Sequence, residues 1–230
     1  MARIVTSKTF EPSSVCFGSV EQNSRGGRFI PIVDKNGTKT KITLQYPAMH
    51  LPFGITGYRD KPGGELVSYS VDLSFRGYES NEPVLVLFNK LNELDHHLID
   101  VAYSNSVAWF GQQKPRRVLE ETYRRLTKDP SEKYAPLTKA KITVSNGNPN
   151  VKVFDVDKTP ITIEDVPRGS MVKIIAELTS VWFVGSASWG VTFRAVQILV
   201  TEKPSKASVF AFVPEDDDVS RGDACMFVSE

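Results

Sequence analysis

The residues of this chain that could do chemistry are aromatic and basic, and they are interleaved. Trp182, Phe183, Trp189 and Phe193 crowd one stretch, with Arg194 beside them. Tyr58 and Arg59 share a turn-rich segment with Phe53 and Lys61. Lys39, Lys41, Tyr69, Arg76, Lys139, Lys141, Lys152 and Phe154 lie in or beside alternating apolar runs. Rings stack on unpaired bases and cations meet phosphates, so this mixture fits a single-stranded nucleic acid. A structural reading competes with it. Aromatics in strands mostly pack in cores, and charged residues in alternating runs are mostly solvated.

Other chemistries lack their parts. The sequence has no G-x-x-x-x-G-K-[ST] loop, no G-x-G-x-x-G after a strand and no G-x-S-x-G turn. The histidines are His50, His96 and His97. The last two are neighbours on a predicted helix, where they diverge by about 100° and do not share a metal easily. Cys16 and Cys225 have no metal-ligand spacing and sit near opposite ends, which suits a reducing compartment. No catalytic residue, metal set or cofactor follows from these residues. A binding protein is the expectation, and an enzyme with an unrecognised site is the weaker alternative.

The elements that must position these residues read as strands, then helices, then strands. The anchor is Met171 to Thr201, two apolar arms around Gly185-Ser186-Ala187-Ser188, a β-hairpin by pattern. Val172, Ile174, Ala176 and Leu178 share one face of the first arm; Val191, Phe193, Ala195, Gln197 and Leu199 share one face of the second. Asn36-Gly37 between Phe29–Val33 and Thr38–Tyr46 predicts a second hairpin, and Asn146-Gly147 a third. The segment from Pro47 to Gly64 is a loop suited to nucleic-acid contact or to plugging a barrel end. Glu65–Phe75 alternates as a strand. Asn81-Glu82-Pro83 then caps a helix to about Tyr103. A second helix is predicted from Lys114-Pro115-Arg116-Arg117 to about Leu126. Its Glu120, Glu121, Arg124, Arg125 and Lys128 read as a solvated, self-paired face. The economical architecture is mainly β with a helical insertion at about 81–128. It suits a five-stranded Greek-key barrel of the oligonucleotide-binding (OB-fold) type, with a helix between the third and fourth strands.

A length of 230 residues, 40% hydrophobic and 24% charged, suits a globular domain with a real core, and no run is long and apolar enough for a transmembrane helix. The N-terminus lacks the apolar stretch of a secretory signal. The net charge of +1 conceals an asymmetry. From Pro214 onward six acids, among them Glu215, Asp216, Asp217 and Asp218, stand against Arg221 alone; that is −5, and it leaves +6 on residues 1–213. The division expected is a nucleic-acid-binding domain over residues 1–206 and an acidic tail over 207–230. The bland alternative is a tail that only aids solubility.

Three stretches carry a resemblance: LTSVWFVGSASWGVTFRAVQILV, YPAMHLPFGITGY, and YSVDLSF followed by a helix with LDHHLID. Over about residues 25–204 they resemble the single-stranded DNA-binding proteins of podophages and their relatives in large nucleocytoplasmic DNA viruses. The resemblance implies a barrel that coats single strands without strong sequence preference, serving viral DNA replication, recombination or repair in the host cytoplasm or nucleus. It also implies an acidic tail ending in an aromatic that contacts replication proteins. Here Phe227 is followed by Val228-Ser229-Glu230, which departs from that ending. On this reading phosphates meet Lys39, Lys41, Arg59, Arg76, Lys139, Lys141, Lys152 and Arg194, and bases stack on a subset of Tyr58, Tyr69, Phe154, Trp182 and Trp189. A homodimer is compatible with it and a membrane is not expected. The alternative function is a viral structural or assembly protein without nucleic-acid affinity, and RNA in place of DNA stays open.

Overall fold

The apolar hairpin forms as its pattern requires, and the other barrel strands are laid against it. The structure, a computed structural model, describes residues 4–24, 26–128, 134–185 and 187–204. Of the elements that build the barrel and its surroundings, after three short strands before residue 28, β1 (Arg28–Val33), β2 (Ile42–Gln45), β3 (Met49–His50), β4 (Ile55–Arg59) and β5 (Leu66–Ser74) come first. Helices α1 (Glu82–Ser104), α2 (Ser106–Phe110) and α3 (Arg116–Thr122) follow. β6 (Leu137–Ser145), β7 (Lys152–Phe154), β8 (Met171–Val184) and β9 (Ser188–Glu202) complete the order.

β8 pairs antiparallel with β9 along the hairpin, with β2 through Ile175–Leu178, and with β3 at Met171 and Val172. β9 runs parallel to β6, β6 is antiparallel to β5, and β5 returns to β3 at Ser74 and His50. The ring therefore closes, with β2 and β3 acting as one interrupted strand. Numbered along the chain, its members are joined first–second–third–fifth–fourth, with one parallel pair. This is a mainly β chain with an OB-fold-like five-stranded Greek-key barrel, as the sequence pattern suggested. The helical segment enters between the second and third barrel strands, not the third and fourth. The reason is that β1 lies outside the ring, paired with the tip of β8 at Ser180–Trp182.

Both Asn-Gly turns form, but their arms part. Gly37 takes φ 79°, and Asp34 Oδ1 accepts from the amides of Asn36 and Thr38 at 2.9 and 2.8 Å. Beyond the Val33–Lys39 bridge β2 leaves β1 and pairs with β8. Asn146 and Gly147 both have positive φ, 51° and 76°, as a two-residue type I′ turn requires. The returning arm pairs with β6 only through Asn148 and Pro149. β7 then runs parallel to β9 instead.

The helix α1 starts where its cap dictates. Asn81 accepts the Val84 amide on its side chain and a proline occupies the first turn. Leu87, Leu91, Leu94, Leu98 and Ala102 recur at spacings of three and four and are fully buried in the same core as the barrel. His97 is structural, its Nε2 3.0 Å from the Val15 carbonyl oxygen.

Two of the three register shifts in the hairpin decide which side chains of the barrel face out. Leu178 pairs with Phe193 but Val181 pairs with Val191, so β8 carries one extra residue. Without it Trp182 would share the buried face of Val172, Ile174, Ala176 and Leu178. With it Val181 is buried and Trp182 turns outward. On β9 the extra residue falls at Val196, between the pairs Ile175–Gln197 and Ala176–Ala195. Beyond it Ile198 and Val200, not Gln197 and Leu199, are buried.

Candidate nucleic-acid interface

The outward face of the barrel sheet is polar because the pairing register lines up its polar positions. Thr56 of β4, Ser70 of β5, Lys141 of β6, Arg194 of β9 and Glu177 of β8 form one row across five strands. Tyr58, Ser68 and Thr143 form the next row, and Asp72 faces Lys139. The opposite parity holds Val71, Leu73, Ala140, Ile142 and Phe193 in the core. Serines at 68, 70 and 74 are too short to fill the space above β5. They leave a floor, and longer side chains stand around it.

The result is an open groove of about 450 Å³. Tyr58, 59% exposed, stands at one side on β4, and Trp182 at the other on β8. Trp182 is half-buried, and its Nε1 donates to Thr192 Oγ1 at 2.9 Å, which fixes the ring. A strap adds its side chains to the lining of the groove. After α3 the chain pairs with β9 at Tyr123 and Arg124, then crosses to β6 and pairs there at Thr127 and Lys128. This places Arg124, Arg125 and Lys128 on the groove.

Two features hold the strap. Gly190 pairs with Arg124, and a Cβ there would lie 3.0 Å from the Arg124 carbonyl oxygen and 3.1 Å from the Trp182 ring. The buried carboxylate of Asp95 on α1 accepts from the Tyr123 hydroxyl at 2.6 Å and from the Leu126 amide at 3.1 Å. Burial raises the Asp95 pKa from 3.8 to about 7, against the lowering effect of those two hydrogen bonds and of Arg125. Burial also raises the Tyr123 hydroxyl, helped by Asp95.

Carboxylates partly neutralise the face. Asp72 lies 3.6 Å from Lys139 and 4.0 Å from Lys128. Glu177 is paired with Arg194 and, at 3.3 Å, with Lys41. Burial works to raise the Glu177 pKa, but Arg194 and then Lys41 outweigh it and hold it below the usual value. Lys141 has no ion pair among the described residues.

The predicted site residues divide accordingly. Tyr58, Lys139, Lys141 and Trp182 come together on the groove, and Arg194 sits in the Lys141 row. Tyr69 lines the groove wall but stands at core parity, opposite Ile142. Lys41 is drawn to Glu177, Lys39 is paired with Glu21 at 2.7 Å, and Arg59 donates to the Gly64 carbonyl. Lys152 and Phe154 pair with Gln197 and Leu199, further along β9 than the groove. Arg76 lies beyond the end of β5, in a separate cavity. The tail residues Glu215, Asp216, Asp217, Asp218 and Phe227 lie outside the described residues.

Trp189 is the correction. It is 2% exposed and offers no face to a base. It pairs with Phe183, at the parity of Val191 and Phe193, inside a cluster with Trp109, Phe110 and Tyr123. Its Nε1 donates to the Leu119 carbonyl and to Thr122 Oγ1, each at 3.2 Å. Its parity with Val191 and Phe193 could have shown this from sequence.

Arg124, Arg125 and Lys128 are the groove residues that sequence reasoning missed. α3 ends at Thr122, so they are not on a helix face. The predicted self-pairing holds only for the part that is helical: Arg116 with Glu120, and Arg117 with Glu121. Among the described residues no group of three or more His, Cys, Asp or Glu could hold a metal ion, and no helix is long and apolar enough to cross a membrane.

A model for a family of unknown function, DUF5871, matches residues 78–215. No curated protein matches the sequence. Among solved structures, the chain is similar to gp2.5, a single-stranded DNA-binding protein encoded by bacteriophage T7. The identity is 13%, the match covers 75% of this chain and 98% of that one, and the TM-score is 0.46. It is also similar to the single-stranded DNA-binding protein of bacteriophage Enc34 in complex with single-stranded DNA, at 12% identity, 81% and 96% coverage and a TM-score of 0.39.

Proposed function

The chain belongs to DUF5871, a family of unknown function, and we propose that it is a non-catalytic, sequence-independent single-stranded DNA-binding protein. The observation that carries this reading is the groove: a serine floor between two aromatic side chains, Tyr58 and Trp182, bordered by a basic strap. Arg124, Arg125, Lys128, Lys139 and Lys141 stand there with the carboxylate of Asp72 beside two of them, a net charge of +4 over these six described residues.

Stacking needs a base whose faces are free, which a single strand offers and a duplex does not. Each such contact contributes about 1–3 kcal/mol and tolerates any base, since every base has a π-face. The cations add attraction to phosphates that carries no sequence information. For single strands each neutralised phosphate contributes about −0.7 to the slope of log affinity against log salt, so four give about −3. Stacking on rings and attraction to phosphates do not by themselves read the sugar, so RNA is a second ligand for the same test.

Single strands arise wherever a duplex is opened for replication, recombination or repair. Such a protein would serve those processes where viral DNA is copied, the host cytoplasm or nucleus. Contact with replication proteins through the acidic 207–230 segment belongs to the same proposal.

The test is fluorescence anisotropy with labelled oligo-dT of about 30 nucleotides, long enough to cover one such barrel. Duplex of equal length is the control, at low and moderate salt. Salt-sensitive preference for the single strand supports the proposal. No binding at micromolar protein would overturn it and favour a structural or assembly role.

A further inference from the structure

The groove described above stops at Asp72, but the polar face of β5 does not. Ser68, Ser70, Asp72 and Ser74 share that face, and Ser74 opens onto a second, larger cavity of about 920 Å³. Lys128 lines both cavities. We infer that this second cavity is a continuation of the single-strand site, taking the bases and phosphates that follow those held between Tyr58 and Trp182. The inference rests on the reading proposed above and assigns further binding residues to it.

The second cavity repeats the chemistry of the first. Phe53 and Tyr134 line it and are 53% and 67% exposed. A single exposed aromatic is ordinary. Two on one cavity, with Arg76, Lys128 and Arg168 around them, repeat the aromatic-and-cation pattern of a stacking site. No carboxylate is among the described lining residues of either cavity, and Asp72 lies in the stretch between them, near Lys128 and Lys139.

The loop that presents Phe53 is tied down. Arg168 Nε donates to the Pro52 carbonyl at 2.8 Å. The Leu51 amide donates to the Ser170 carbonyl at 2.9 Å, and the Gly169 amide donates back to the Leu51 carbonyl at 2.8 Å. Gly54 takes φ 69° and packs beside the Arg168 backbone, which turns the chain directly after Phe53. A ring held in place loses less freedom when a base stacks on it. Ser68 and Ser74 are six residues apart, about 20 Å along an extended strand. A path of that length belongs to a strand of several nucleotides, within the range of about 4–16 that one such barrel covers.

The fluorescence of Trp182 separates the two lobes, because Trp109 and Trp189 are buried and only Trp182 stands in the groove. Full-length protein, wild type and the double variant Phe53→Ala/Arg76→Ala, is titrated with oligo-dT of about 4 and about 12 nucleotides. Quenching is read on binding. Both changes are at exposed side chains, and an unchanged melting temperature confirms that the fold is kept. The expected result is wild-type affinity of the variant for the short strand and a loss of about tenfold or more for the long one. Equal binding of wild type and variant at both lengths, with quenching intact, overturns the second lobe and leaves the groove standing. Absence of binding by the wild type at either length overturns both.

Discussion

The helix α3 and the strap that follows it carry similar charges and use them in opposite ways. On α3, Arg116 and Arg117 are paired with Glu120 and Glu121 one turn on, and Arg116 also with Asp100 of α1. Those charges are spent locally, in pairs that contribute a few tenths of a kcal/mol each. In the strap, Arg124 and Arg125 have no salt bridge among the described residues, and Lys128 shares the carboxylate of Asp72 with Lys139. The same contrast separates Trp182 from Trp189. One ring lies half-buried beside a groove; the other, across the same hairpin, is closed into the core. On the proposed function, a basic or aromatic residue here serves binding when its own element leaves it available, and composition alone does not say which one is.

The largest effect expected from breaking this contrast is at Trp189. Trp189→Ala should lower stability by about 3–5 kcal/mol, as large aromatic truncations in cores do. Trp182→Ala should cost clearly less, about 1–2 kcal/mol, since its ring is only half-buried and holds one hydrogen bond. Urea denaturation measures both, and equal losses would mean that the two rings are not differently placed.

Asp95 tests how the strap is held. Its pKa is raised from 3.8 to about 7 in the folded chain, so the folded state binds its proton more tightly than the unfolded one. The stability this contributes is present below pH 3.8 and is lost as pH rises to about 7, a change of up to about 4 kcal/mol at about 1.36 kcal/mol per unit. Glu177, held below its usual value, works with the opposite sign. Comparing Asp95→Asn with wild type isolates the Asp95 part. The variant should be flatter over that window and the more stable of the two above it; parallel curves would contradict the assignment.

Affinity comes next. Trp182→Ala should weaken oligo-dT binding by about 1–3 kcal/mol, read by anisotropy. Arg124→Ala with Arg125→Ala should reduce the salt slope by about 1.4, two phosphate contacts at about 0.7 each. Arg116→Ala with Arg117→Ala should leave the slope unchanged, and equal slopes for the two double variants would erase the contrast. The smallest effect is at Asp72. Asp72→Asn removes the carboxylate beside the groove and frees Lys128 and Lys139. Binding should tighten by about threefold to tenfold at low salt.

Much of the scaffold was legible in the sequence. The hairpin arms, the capped start of α1 and both Asn-Gly turns are local signals, written in neighbouring residues. What was not legible is set by partners far away. β2 follows an Asn-Gly turn yet pairs with residues 175–178, more than a hundred positions on. The bulge between Leu178 and Val181 adds one residue with no mark in the sequence, and it alone turns Trp182 outward. Lys39, Lys41 and Lys139 read as free cations because their carboxylates, Glu21, Glu177 and Asp72, are brought to them only by the fold. The strap reads as helix because its arginines continue the spacing of α3, whereas pairing of Tyr123 and Arg124 with β9 stops the helix at Thr122.

The central claim is that unpaired bases lie between Tyr58 and Trp182. The measurement that tests it most directly is photocrosslinking of oligo-dT substituted with 5-iodouracil, followed by mass spectrometry of the adducts. The account predicts adducts on Trp182 and Tyr58, suppressed by excess unlabelled single strand and not by duplex. Adducts absent from both, and found instead on a ring away from the groove such as the exposed Tyr103 of α1, would contradict it.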